Sequence, residues 1–178
     1  MSTDKNLLNL FYNLLKKKAH LCLASGMNCN AKPINAHSIQ NAKIFEILHS
    51  NNHIIGLGLN VEGHKKPEIG FKYIGRNKTS TFEGLCSKHD NSIFEIIDRN
   101  DLNLNDNKHL FLIAYRSVLK ELHASLTRGF QFQTMYLEKV RLNLLPKDYP
   151  SHEGIIATEH LINAYDFFFI KKISTTYS

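Results

Sequence analysis

This chain of 178 residues is short of the features that mark a specialised class of protein. With only 9 glycines and 4 prolines it is neither collagen-like nor a low-complexity chain. Its 3 cysteines are an odd number, so they cannot close a disulfide framework among themselves. Long apolar runs are missing too: Phe167-Phe168-Phe169-Ile170, the longest near the C-terminus, is far too short to cross a bilayer. The N-terminus has no uninterrupted apolar segment followed by a small-residue cleavage site. The expectation is therefore a cytoplasmic protein with no membrane partner. In that compartment thiols stay reduced, and cysteines accompanied by histidines bind metal more often than they cross-link. No internal repeat, Walker-type lysine loop or G-x-S-x-G elbow occurs, and Gly56-x-Gly58 lacks the third glycine of a dinucleotide fingerprint.

What is present is an ordinary globular balance, 43% hydrophobic and 21% charged, with a net charge of +6. The charge is uneven. Residues 1–90 carry 12 Lys/Arg against 6 Asp/Glu, whereas residues 91–178 carry 10 of each. All three cysteines and six of the ten histidines also lie in the first half. A basic half bearing Cys and His suggests a polyanion-facing module, and the neutral half suggests packing or assembly.

Apolar spacing predicts an amphipathic helix over residues 4–18, then an irregular stretch over 20–35 broken by Gly26, Asn28, Asn30 and Pro33. A short helix is expected from Ser38 to His49. Ile54–Leu59 and Phe71–Ile74, separated by the turn cluster of residues 62–67, read as a loose β-hairpin. Helix is expected again over 87–98, a polar linker over 100–107, and the strongest helix over 108–127. More helix is expected around 131–144 and 156–168, with Pro146 and Pro150 between them.

Cys22, Cys29, Cys86 and His89 form the cluster that carries chemistry. Cys86 and His89 are a C-x₂-H pair at the expected start of that helix, so both side chains reach one point on a turn. Cys22 and Cys29 lie in the irregular stretch, where a loop can fold two thiolates around an ion. Three Cys and one His are the donor set of a closed, tetrahedral structural zinc site. Two alternatives stay open at this level: His20 is near enough to stand in for Cys22, and free cysteines are commonly just buried. His37 and Asp90 flank the cluster. A neutral imidazole can take a proton from water, and a carboxylate can hold a hard divalent cation. Such a pair suits metal-assisted attack on a phosphodiester. Arg76 and Lys78 in a flexible turn, and Lys65 and Lys66 at the hairpin tip, are candidate phosphate contacts.

The order of these segments resembles the zinc-stabilised HNH endonuclease family, over roughly residues 20–98. Cys22 and Cys29 resemble its first knuckle, Ala36-His37-Ser38-Ile39-Gln40 its general-base segment, and Leu85-Cys86-Ser87-Lys88-His89-Asp90 its closing segment. The resemblance implies a ββα-metal, treble-clef-like core, with His37 as general base and Cys22, Cys29, Cys86 and His89 on structural zinc. Asp90, standing where the family has its final histidine, would hold a catalytic Mg²⁺ or Mn²⁺. The family's middle asparagine is replaced, since Ser80 and Thr81 occupy those places and Asn77 comes too early. The two segments also resemble those of bacterial proteins linked to mobile elements or phage defence.

The expected architecture is therefore α+β. A small zinc-stabilised ββα-metal core with an N-terminal helix spans residues 1–99, and a helical extension packed on it spans 100–178. The C-terminal helices offer a homodimer or partner-protein contact. The expected function is hydrolysis of DNA or RNA phosphodiesters by an HNH-like nuclease. The alternative is a catalytically inactive zinc-stabilised module that binds nucleic acid or protein.

Overall fold

The computed structural model describes residues 9–10, 12–14, 16–24, 29–38, 44–60, 68–144, 154, 156, 159–160 and 163. In chain order its named elements are β1 (Ala36–His37), α1 (Glu46–Leu48), β2 (His53–Asn60), β3 (Glu68–Gly75), β4 (Thr81–Phe82), α2 (Ser87–Arg99) and α3 (Asn107–Arg141). The chain is thus a mixed α+β protein with two small antiparallel sheets, β1·β4 and β2·β3.

Helix α3 is one continuous rod of 35 residues, where the apolar pattern suggested two helices. Gly129 lies within it and is buried, so it closes no helix here. Asp106 caps its start by accepting from the Lys108 N–H at 2.8 Å, and Lys139 and Arg141 face the negative end of its dipole. On α2 the positions Asp90, Phe94 and Ile97 form one buried stripe, spaced as a helix requires. Phe94 and Ile97 pack with Leu112, Leu119, Leu122 and Leu126 of α3 and with Leu23, Phe82 and Leu85 in a single core. That core draws on residues from both sides of the expected boundary at residue 100.

Of the expected helix over 4–18, residues 9–10 and 12–14 are helical and residues 17–24 are not. The helix gives way early because α3 takes over the backbone polar groups beyond it. Gln131 Nε2 donates to the Lys17 carbonyl at 2.8 Å and His123 Nε2 to the Ala19 carbonyl at 3.0 Å, while the Ala19 N–H donates to Thr127 Oγ1 at 3.0 Å. An irregular segment can be buried only when its amides and carbonyls are satisfied in this way. On its other side the Leu23 N–H donates to the Gly84 carbonyl at 2.7 Å.

The hairpin β2·β3 is regular, pairing His53 with Gly75 through to Asn60 with Glu68. A tight turn feeds it: Asn51 and Asn52 both have positive φ, and Ser50 and His53 exchange two backbone hydrogen bonds of 2.9 Å. This is the geometry of a two-residue type I′ turn, which asparagine tolerates. The expected helix from Ser38 to His49 is described only in part, over residues 44–48. Around 156–168, Ile156, Glu159, His160 and Asn163 are helical, and the His160 ring stacks on Phe132 of α3. Lys65, Lys66, Pro146, Pro150 and residues 167–170 fall outside the described residues. Among the described residues no helix is long and apolar enough to cross a membrane.

Candidate metal centre

Three chain segments converge on one point. The first is the extended stretch that α3 and Gly84 hold in place, which carries Cys22. The second is the segment leading into β1, which carries Cys29. The third is the start of α2, where Cys86 is the N-cap residue and His89 lies one turn on. The last two segments are stitched together by an antiparallel bridge between Pro33 and Cys86 and by an Ile34 N–H···O Leu85 bond of 2.8 Å.

The donor atoms of Cys22, Cys29, Cys86 and His89 all lie within 4.8 Å of one another. Cys29 Sγ is 3.8 Å from Cys86 Sγ, and His89 Nδ1 is 3.4 Å from Cys22 Sγ and 3.3 Å from Cys86 Sγ. Bond lengths of about 2.3 Å to sulfur and 2.05 Å to nitrogen, at tetrahedral angles, require separations of about 3.8 Å and 3.6 Å. The set therefore fits a four-coordinate ion of zinc's size and softness, and among the described residues no fifth donor joins it. His20 is not a member. Its Nδ1 pairs with Glu83 at 2.7 Å on the surface, which settles the choice in favour of Cys22.

The fold also prepares the thiols unequally. Cys22 and Cys86 are buried, and Cys29 is half-buried. The backbone N–H groups of His89 and Lys88 at the start of α2, the positive end of that helix, favour the Cys86 thiolate and hold its pKa below the usual range. Burial pushes the Cys22 thiol up, although the Cys86 N–H donates to its sulfur at 3.3 Å. A dication at the centre removes that burial cost, because it supplies the charge the thiolates need.

His37 lies on β1, paired with Thr81 of β4, so the order is strand, strand, helix: β1, β4, α2. Its ring nitrogen Nδ1 donates to the Thr79 carbonyl at 3.1 Å, which leaves Nε2 the basic nitrogen of the neutral ring. The Phe45 ring meets it edge-on. Thr79 is held by a tight turn: its amide and hydroxyl both donate to the Gly75 carbonyl, and Ser80 adopts a positive φ of 58°. Ser80 Oγ is buried with no hydrogen-bond partner. Ser80 and Thr81 thus do different work: Ser80 shapes the turn, and Thr81 pairs with His37.

Asp90 follows His89 but turns inward, and only 8% of it is exposed. Burial pushes its carboxyl pKa up, the nearby Arg116 guanidinium opposes this, and Asp98 reinforces it. Arg116 is itself 4% exposed. It lies over the Phe94 ring at 4.1 Å and binds Asp98 with two hydrogen bonds of 2.8 and 2.6 Å. The bond joins α2 to α3.

Arg76 and Lys78 line an open cavity of about 390 Å³ at the base of the hairpin, together with Asn52, His53, Gly75 and Asn77. Arg76 is ion-paired with Glu46, whose carboxyl it holds below the usual range. Comparisons with family models, curated proteins and solved structures find no match for this chain.

Proposed function

We propose that the protein is a zinc-stabilised, HNH-like nuclease that hydrolyses phosphodiester bonds of DNA or RNA. One observation carries the reading. The strand–strand–helix unit β1, β4, α2 joins a closed Cys₃His donor set to a histidine whose tautomer is fixed for use as a base. In this reading zinc is structural and ties Cys22, Cys29, Cys86 and His89 together. His37 Nε2 takes a proton from the attacking water, whose oxygen bonds to phosphorus as the ester oxygen leaves. A bound Mg²⁺ or Mn²⁺ would supply Lewis-acid stabilisation of that leaving oxygen, and Asp90 is the carboxylate assigned to it. Arg76 and Lys78 would meet the phosphate backbone beside the turn that orients His37.

The placement of Asp90 favours a second reading. A carboxylate buried beside a guanidinium is a poor cation ligand, because its pKa is raised and a positive charge already faces it. A zinc-stabilised module that binds nucleic acid without cutting it fits that observation.

Cleavage assays separate the two. Purified protein with added Mg²⁺ or Mn²⁺ is incubated with plasmid, linear DNA and RNA, next to a His37→Ala variant. The nuclease reading expects cleavage by the wild type, lost in His37→Ala at unchanged zinc content. Intact substrates with salt-dependent binding would establish the second reading and refute the first.

A further inference from the structure

The hairpin β2·β3 carries a feature that neither reading uses. Cross-strand partners in an antiparallel pair share a face. The pairs Ile55–Tyr73, Leu57–Phe71 and Leu59–Ile69 therefore put six apolar side chains side by side on one face. That face is open: Ile55 is 62% exposed, Leu57 66%, Ile69 77%, Phe71 77% and Tyr73 71%. The opposite face carries Ile54 with Ile74, Gly56 with Lys72, and Gly58 with Gly70. Lys72, in the middle of its strand, is directed to that glycine face, where its Nζ donates to the Leu59 carbonyl. A Cβ at Gly58 would fall on the Lys72 side chain, so the glycine makes room for it. The pattern thus removes charge from the apolar face, and among the described residues nothing covers it.

Two physical considerations say that the face has a partner. A two-stranded hairpin is at best marginally stable in water without a layer packed on it. The face also amounts to about 700 Å², counting an exposed aromatic at ~200 Å² and scaling by exposure, against ~300–600 Å² for the largest patch on an ordinary monomer. A standard interface takes about 800 Å² from each partner. The six side chains include no charged group to select a charged partner. The same face of a second copy matches it in size and chemistry, and a two-fold axis closes the contact.

We infer that the protein is a homodimer in which two β2·β3 hairpins pack face to face, making a two-layer sandwich of four strands. The interface lies on the hairpin and not on the C-terminal helices, and it is independent of the metal centre and of cleavage.

The mass of the full-length, zinc-loaded protein in solution tests this, by light scattering after size exclusion or by sedimentation at micromolar concentration. The expected result is a dimer. Phe71→Lys and Leu57→Lys, each at an exposed position, are each expected to weaken dimerisation at least a hundredfold and give monomers. Their zinc content and circular dichroism should stay at wild-type levels. Lys72→Gln, on the opposite face, should remain dimeric. A monomeric wild type would overturn the proposal, as would a dimer that survives either lysine substitution. If one lysine variant fails to fold, the other decides.

Discussion

Replacing Cys22 by serine is expected to cost the protein its metal and much of its stability. A serine hydroxyl is not ionised near neutral pH, so it is a poor substitute for a thiolate ligand. Structural zinc sites bind with about 10–16 kcal/mol, or roughly 3–4 kcal/mol per ligand, equal to two to three decades of affinity. At a free zinc level of a thousand times Kd, binding adds about 4 kcal/mol to folding, and the substitution takes back most of it. At roughly 2–4 °C per kcal/mol for a chain of this size, the melting temperature should fall by about 6–16 °C. Cys22→Ser also weakens the acceptor of the Cys86 N–H inside the core, so it should cost more than Cys29→Ser, whose site is half-buried. Zinc per chain by elemental analysis and melting by circular dichroism, with and without a strong chelator, measure both effects. The double variant Cys22→Ser/Cys86→Ser should melt close to the single variant, because the metal is already lost. Three ordinary buried cysteines would behave otherwise. Wild type without stoichiometric metal, or a chelated wild type melting within about 2 °C of the untreated protein, would refute the zinc site.

Other substitutions probe the rest of the frame. His37→Ala should leave zinc content and melting unchanged and abolish any cleavage, since its ring bonds the Thr79 carbonyl and not the metal cluster. Arg116→Ala should cost about 2–4 kcal/mol in urea unfolding. It strips the partner from Asp98 and an opposing charge from buried Asp90, although the partial exposure of Asp98 keeps the loss below that of a fully buried pair. Gly84→Ala should cost about 1–3 kcal/mol in the same assay, because a Cβ there collides with the Phe82 ring in the core. Burial holds the His123 pKa below its ordinary value, opposed by the Ala19 carbonyl and Glu83 and assisted by Lys18 and His20. The unfolded chain then binds the proton more readily. Stability from this group is complete above about pH 6.5 and is lost as pH falls from there through the folded value. The drop in melting temperature between pH 7.5 and pH 5 should be smaller in His123→Gln, whose amide can still donate to Ala19.

Much of this was legible in the residues themselves. Cys86 and His89 announce their convergence because a helical turn has a fixed spacing, and α2 begins and ends within a residue of the expected 87–98. Helix α3 was foreseen in kind but not in length. Gly129 reads as a break in a propensity pattern, yet its burial shows that packing decides the matter. The irregular stretch could not be placed from sequence at all. Its shape is set by Gln131, His123 and Thr127, more than a hundred residues away, and no local pattern reports such bonds. The open face of the hairpin is different: it is written plainly in the alternation Ile55-Gly56-Leu57-Gly58-Leu59. That alternation says which residues share a face, but only the fold says that nothing in the described chain covers it.

The metal centre and His37 are linked through the backbone, and this bears on how substitutions at one would reach the other. Pro33 pairs with Cys86, while Ala36 pairs with Phe82 and His37 with Thr81. Between these pairs two residues, Ile34 and Asn35, face three, Glu83, Gly84 and Leu85, so the second strand carries an extra residue between Phe82 and Cys86. Gly84 lies in that bulge, against the Phe82 ring, and its carbonyl receives the Leu23 N–H beside Cys22. A metal that fixes Cys22 and Cys86 therefore fixes the bulge from both sides. The bulge sets the register of β4, and β4 follows directly on the Thr79 carbonyl that orients the His37 ring. Loss of zinc would release the strand on which that orientation depends, without touching the imidazole itself. Chelation should then broaden and shift the His37 ring resonances in NMR spectra even at temperatures where α3 remains helical. Unchanged His37 resonances in the chelated protein would show that the two sites are held independently.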